Sequence, residues 1–185
     1  MLVIRYKFLF LLLLFSISFA YADNHKPVEL DKLFEKLSKI DNSDQATLIE
    51  KKIWEVWSEH PKSEKLTNKL EFGKELMREG SYNYALQVFT NIIKTDPLWS
   101  EVWNARATLF FYMSSYEQSL KDIDVVLNLE PRHFGALSGR AQILIRLEEY
   151  EEAINDLRKI RKIYPSITED RLIKKLEKLI KGLNI

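Results

Sequence analysis

From residue 23 onward, apolar residues recur every three or four positions, in runs separated by turn residues. In one run Trp99, Val102, Trp103, Leu109 and Phe110 recur at helical spacing. After Ser114-Ser115, Tyr116, Leu120, Ile123, Val126 and Leu127 do the same. Pro131 then stops the second helix, because proline has no N–H and clashes with the preceding turn. It also suits the first turn of the helix that follows. This two-helix unit recurs. Pro97, Pro131 and Pro165 are 34 residues apart, as are Tyr82, Tyr116 and Tyr150, and Ala85, Ser119 and Ala153. Three markers in one register predict an all-α solenoid of antiparallel helical hairpins, with units at 66–99, 100–133 and 134–167.

The flanks are also helical. Leu30, Leu33, Phe34, Leu37 and Ile40 form one apolar stripe; Leu48, Ile49, Ile53, Trp54, Val56 and Trp57 form another. Asn42-Ser43-Asp44 between them is turn and N-cap chemistry. Pro27 and Pro61 are 34 apart, but Pro61 to Pro97 is 36, and Leu37 and Ile49 stand where small residues belong. Residues 23–65 therefore read as a degenerate hairpin capping the N-terminal end of the stack. Trp54 and Trp57 read as core. Beyond Pro165, Ser166 and Glu169 have capping-box spacing. Leu172, Ile173, Leu176, Leu179, Ile180 and Leu183 then share one face, predicting a closing helix within 168–185.

Residues 1–22 differ from all of this. Arg5 and Lys7 precede an apolar run from Phe8 to Ala20, and Ala20-Tyr21-Ala22 ends it. That is the three-part pattern of a secretory signal peptide cleaved after Ala22, and the run is short for a bilayer span. The expected location is a bacterial periplasm; the alternative is an uncleaved segment anchoring the chain to the inner membrane.

The repeated units resemble the tetratricopeptide repeat. The first supplies Phe72-Gly73, Leu76, Ala85, Phe89 and Pro97. The second supplies Trp103, Ala107, Phe110, Ser119, Ile123 and Pro131, and the third Leu137, Ala141, Leu144, Ala153, Leu157 and Pro165. Glu130-Pro131-Arg132-His133-Phe134-Gly135-Ala136-Leu137 is similar to a stretch in small exported bacterial members. The resemblance implies a right-handed superhelix, in which Gly73, Ala107 and Ala141 admit the second helix closely and Ala85, Ser119 and Ala153 face them. Some positions depart from the family pattern. Lys69 replaces a large residue, and Arg106 and Arg140 stand where the family has Leu. Sixteen residues after each Arg comes an Asp, Asp122 or Asp156, where the first unit has Phe72 and Val88. Either each Arg pairs with its Asp inside the hairpin, replacing a Phe72–Val88 contact, or each extends to solvent independently.

The composition narrows the function. The chain of 185 residues has no Cys, so it has no disulfide or thiolate chemistry. Its formal charge is +1 and becomes −1 without residues 1–22, which argues against nucleic acid as a partner. His25, His60 and His133 lack metal-ligand spacing, and Gly135 and Gly139 fall inside a predicted helix rather than a phosphate loop. Glu148, Glu149, Glu151 and Glu152 belong to outer faces. No cofactor and no catalysis are expected.

What the resemblance implies instead is a concave groove lined by the first helix of each unit. Its lining would be Leu70, Lys74 and Met77; then Glu101, Asn104, Thr108, Phe111 and Tyr112; then Ser138, Gln142, Ile145 and Arg146. An apolar, aromatic centre ringed by amides and hydroxyls suits a peptide or helix of a protein partner. Lys74, Asn104 and Arg146 would make only a partial carboxylate clamp. For Phe111 and Tyr112 the alternative is burial against the next hairpin. Residues 158–181 hold nine basic and three acidic residues, which suggests a solvated face or a weak contact with an anionic membrane surface. The expectation is an exported, non-catalytic adaptor in envelope assembly or maturation; the alternative is a peripheral membrane tether.

Overall fold

The computed structural model describes residues 28–167 and 170–183. The expected leader, His25, Pro27 and Glu169 lie outside the described residues. Those residues form nine helices and no strand. They are α1 Val28–Leu37, α2 Ser43–Ser58, α3 Glu64–Arg78, α4 Tyr82–Thr95, α5 Ser100–Tyr112, α6 Tyr116–Leu129, α7 Phe134–Arg146, α8 Tyr150–Ile163 and α9 Asp170–Leu183. The pairs α3–α4, α5–α6 and α7–α8 are hairpins, and each packs on the next.

Each hairpin turns by the same device. The amide of Ser81 donates to the Leu76 carbonyl and that of Gly80 to Met77, with Gly80 at φ +78°. Ser115 and Ser114 repeat this on Phe110 and Phe111, and Glu149 and Glu148 on Leu144 and Ile145. This is the Schellman closure, which needs one left-handed residue after the helix. Glycine supplies it at no steric cost in the first unit; Ser114 (φ 57°) and Glu148 (φ 63°) supply it in the others. The second helices end at Asp96, Glu130 and Tyr164. Asp96 and Glu130 are extended, with ψ 93° and 91°, and Tyr164 has ψ 76°; all three have left the helical region that a following proline disfavours.

Small residues set the distance within a hairpin. Ala85, Ser119 and Ala153 are buried, and the Ser119 hydroxyl donates to the Ala107 carbonyl at 2.8 Å. A Cβ at Gly73 would stand 2.4 Å from Phe89 Cε1, so the first hairpin closes only over glycine. The two arginines that replace Leu are paired. Arg106 Nε and Nη2 donate to Asp122 at 2.7 and 2.8 Å, and Arg140 Nε and Nη2 donate to Asp156 at 2.6 and 2.9 Å. Each also reaches one hairpin back, Arg106 to Thr90 at 3.2 Å and Arg140 to Asp124 at 3.1 Å. The planar guanidinium suits this two-pronged contact, so it links helices that Leu would only pack. In the first hairpin Phe72 does not stand in for them. It is 54% exposed, so most of its ring lies in solvent rather than against Val88.

Three helices lie outside these three hairpins. Helix α9 covers α8 through Ile173 and Leu176, while Leu179 stays 42% exposed. Helix α2 begins at an Asn42 cap whose side chain accepts from the Gln45 amide. Helices α1 and α2 bury Leu30, Leu33, Phe34, Leu37, Ile53 and Trp57. They share one continuous core with Phe134, Leu137, Leu157, Ile160 and Tyr164 of the third hairpin.

Candidate protein-binding groove

The first helices α3, α5 and α7 should present the groove. Across much of that face lies α2. Its C-terminal end holds the first hairpin. The Trp99 indole donates to the Trp57 carbonyl at 2.9 Å, the His60 amide donates to Thr67 Oγ1 at 2.8 Å, and Lys74 Nζ donates to Ser58 Oγ at 3.1 Å. His60 Nε2 and Asp96 Oδ2 are 2.8 Å apart. The other end reaches the third hairpin, where the Tyr164 hydroxyl donates to Glu50 at 3.1 Å. The 16 residues of α2 cover about 24 Å, enough to bridge the stack. Helix α1 adds an ion pair between Asp31 and Arg132 at 2.8 Å, with the Arg132 guanidinium 4.3 Å from the centre of the Phe34 ring. The N-terminal pair therefore does more than cover one end of the stack.

Aromatic stacking makes the joint. The Trp57 ring lies on His133 at 3.9 Å and 8°, and Trp54 meets His133 and Phe134 edge-on at 5.5 and 5.4 Å. Gly135 admits Trp54, since a Cβ there would stand 2.4 Å from Trp54 Cη2. The sequence carried a signal for this: a glycine inside a helix costs stability unless something approaches it closely.

A buried polar centre lies next to the joint. Glu101 is 2% exposed. It accepts from Lys74 (3.1 Å), Asn104 (3.1 Å) and His133 Nε2 (3.3 Å). His133 Nδ1 accepts the Ala136 amide at 3.1 Å, which caps α7 and leaves the ring proton on Nε2 for Glu101. Burial by itself raises the Glu101 pKa. The His133 hydrogen bond and the Lys74 charge outweigh that and hold it below the ordinary glutamate value. A carboxylate depressed on folding stabilises above its unfolded pKa, and the contribution is lost as pH falls through the folded one. Glu101→Gln should therefore lower stability at neutral pH and reduce its fall on the acid side of the glutamate range. Urea midpoints taken from pH 7 down to about 3 check this.

This geometry corrects part of the expected lining. Leu70 is fully buried, and Lys74 and Glu101 are spent on each other beneath α2. Lys74 and Asn104 converge on Glu101, while Arg146 sits 5.2 Å from the centre of the Phe111 ring, so the three form no carboxylate clamp. Met77 packs into the first hairpin's core and Ile145 against the core beneath α2. Ser138 is half-buried.

The rest of the face stays open. A cleft of about 230 Å³ between α5 and α7 is lined by Asn104, Thr108, Phe111, Tyr112 and Gln142. Ala107, Ser119, Ile123, Gly135, Ala136 and Gly139 complete its wall. Of the two aromatics, Phe111 is half-buried against Tyr116 at 5.8 Å, while Tyr112 is 56% exposed and stacks on Tyr82 at 6.5 Å and 13°. The described residues contain no group of three or more His, Asp or Glu able to hold a metal ion.

No family model matches the chain. It is 36% identical over 106 residues to a TPR repeat-containing protein of Rhizobium etli; the match takes in 57% of this chain and 52% of that protein. The chain thus spans about half the length of the curated relative it matches. Among solved structures it resembles the first TPR of Spaghetti bound to an HSP90 peptide (TM-score 0.60, 22% identity, 64% of this chain and 95% of that one). It also resembles the TPR2B domain of yeast Sti1 in its pHsp70 complex (0.55, 22%, 62% and 94%) and the Sgt2 TPR domain of Aspergillus fumigatus (0.60, 16%, 66% and 83%). These likenesses show the fold, an all-α helical solenoid of tetratricopeptide type. The bacterial relative's sequence agrees with the repeat register, and the solved structures show a fold of tetratricopeptide-repeat type.

Proposed function

We propose that the chain is a non-catalytic protein-binding scaffold that takes a peptide or helix of its partner in the α5–α7 cleft. The observation that carries this reading is the cleft itself. It lies on the first-helix face of a fold whose neighbours include a TPR domain with a bound HSP90 peptide. Its volume suits one large side chain, since drug-sized ligands need roughly 300 Å³ or more. Small residues leave room for that side chain, and the Asn104 and Gln142 amides can meet the partner's backbone. An aromatic anchor fits best, because such groups carry most of the energy at small interfaces. The polar centre under α2 is already satisfied internally, so an acidic chain end has no free cation there. Residues 1–22 would export the scaffold to the periplasm, where it would serve envelope assembly or maturation.

A photoreactive residue at Tyr112, with one at Glu151 as control, tests the site in cells. Glu151 is exposed on α8 and does not line the cleft. One protein should crosslink from 112 and not from 151, and the mass of the product shows whether residues 1–22 are gone. Gly139→Leu should abolish the crosslink without loss of helicity. A Cβ at Gly139 meets only Ile123 Cδ1 at 3.8 Å, so the larger side chain fills the cleft instead of breaking the helix. A crosslink indifferent to Gly139→Leu would move the site elsewhere.

A further inference from the structure

Charge is strongly segregated along this chain. Residues 23–157 hold 17 basic and 24 acidic residues, a net of −7. Residues 158–181 hold nine basic and three acidic ones, a net of +6. The fold gathers that excess on α8 and α9. Three cations of α8 are paired: Arg158 with Glu177 at 2.9 Å and Arg161 with Asp170 across the seam to α9, and Lys159 with Asp156 at 3.1 Å within α8. Lys162 and five cations of α9 are exposed and have no carboxylate partner among the described residues. The five, Arg171, Lys174, Lys175, Lys178 and Lys181, recur at helical spacing opposite the buried Ile173 and Leu176.

We propose that this outer face of α9 docks on an anionic lipid surface through charge alone. The buried apolar residues of α9, Ile173 and Leu176, are used against α8, so the helix has little left to insert; among its described side chains the one large exposed apolar group is Leu179, at 42%. What remains is a row about 15 Å long of flexible guanidinium and ammonium groups with no carboxylate partner among the described residues. None of the five α9 cations lines a described cleft. That arrangement selects diffuse negative charge over a shaped ligand. Nucleic acid is less suited, since the α9 face offers no aromatic ring for base stacking. The opposite charge of the body turns it away from the same surface and orients the molecule as it approaches. The α5–α7 cleft is built from other helices, so this docking is independent of partner capture.

The test is partitioning of the full chain onto phosphatidylcholine vesicles with and without about 30% phosphatidylglycerol, at about 50 and 300 mM salt. Binding should require the anionic lipid and fall more than about tenfold at the higher salt. Each cation near such a surface strengthens binding about fivefold, so the double variant Lys174→Gln, Lys178→Gln should bind about 25-fold more weakly. Its circular dichroism and its crosslink from position 112 should be unchanged. Equal partitioning onto both vesicle types, which residues 1–22 could produce by themselves, overturns the proposal. So does indifference to the double variant. Tighter binding to poly-glutamate or duplex DNA than to the anionic vesicles would reassign the face to an acidic macromolecule.

Discussion

Arg106→Leu should destabilise the protein by about 3 kcal/mol, and adding Asp122→Val should restore most of the loss. The substitution sets at position 106 the Leu of the repeat pattern that this chain resembles, yet by itself it should harm the chain. Asp122's side chain is only 6% exposed, and Arg106 meets both of its oxygens. Without Arg106 the carboxylate is a buried, uncompensated charge. With Asp122 also replaced, the hairpin becomes apolar, and apolar replacements of buried pairs are often neutral or better. Arg106 also touches Thr90 and lies 4.9 Å from the centre of the Trp103 ring, so some cost should remain in the double variant. Urea midpoints for the two single variants and the double variant give the coupling. In a domain of this size the first variant should melt roughly 6–12 °C lower. A coupling near zero would mean that the pair contributes geometry without energy.

Trp57→Ala should cost about 4 kcal/mol and loosen the N-terminal hairpin before the repeats. Trp57 is 4% exposed and touches His133, Phe34, Trp54 and Phe134. Those contacts join α1 and α2 to the third hairpin, whereas α3 to α8 also hold one another through their own cores. Amide exchange should therefore quicken in 28–58 while α5 and α6 stay protected. Trp57→Phe should cost far less. Its indole N–H has no acceptor among the described residues, so the residue acts through area and stacking alone. Uniform loss of protection along the whole chain would show instead that α2 is an inseparable part of the solenoid.

These two cases divide what could be read in the chain from what could not. The Arg106–Asp122 and Arg140–Asp156 pairs were legible as one of two options. Positions 16 apart meet when antiparallel helices turn near the midpoint, and a buried charge needs an opposite one. The Schellman turns were not legible. They demand a left-handed backbone at residues 80, 114 and 148, and Gly, Ser and Glu share no side-chain signal for it. The closing of the groove was not legible either. Trp54 and Trp57 announced that α2 must be covered, but apolar burial has no direction and names no partner.

The sequence by itself determined the period of 34, the helix pairs, the proline stops and the small residues at which helices approach. Each of those follows from local spacing or from a contact within one hairpin. Only the tertiary structure decided that α2 lies along the first-helix face, spends Lys74 and Glu101 on internal bonds, and leaves the α5–α7 cleft open. Those contacts join residues 31–60 to residues 67–164, and no periodicity spans that separation. They are settled by which apolar face fits which groove once the repeats have stacked, and shape complementarity of that kind is a property of the assembled surfaces.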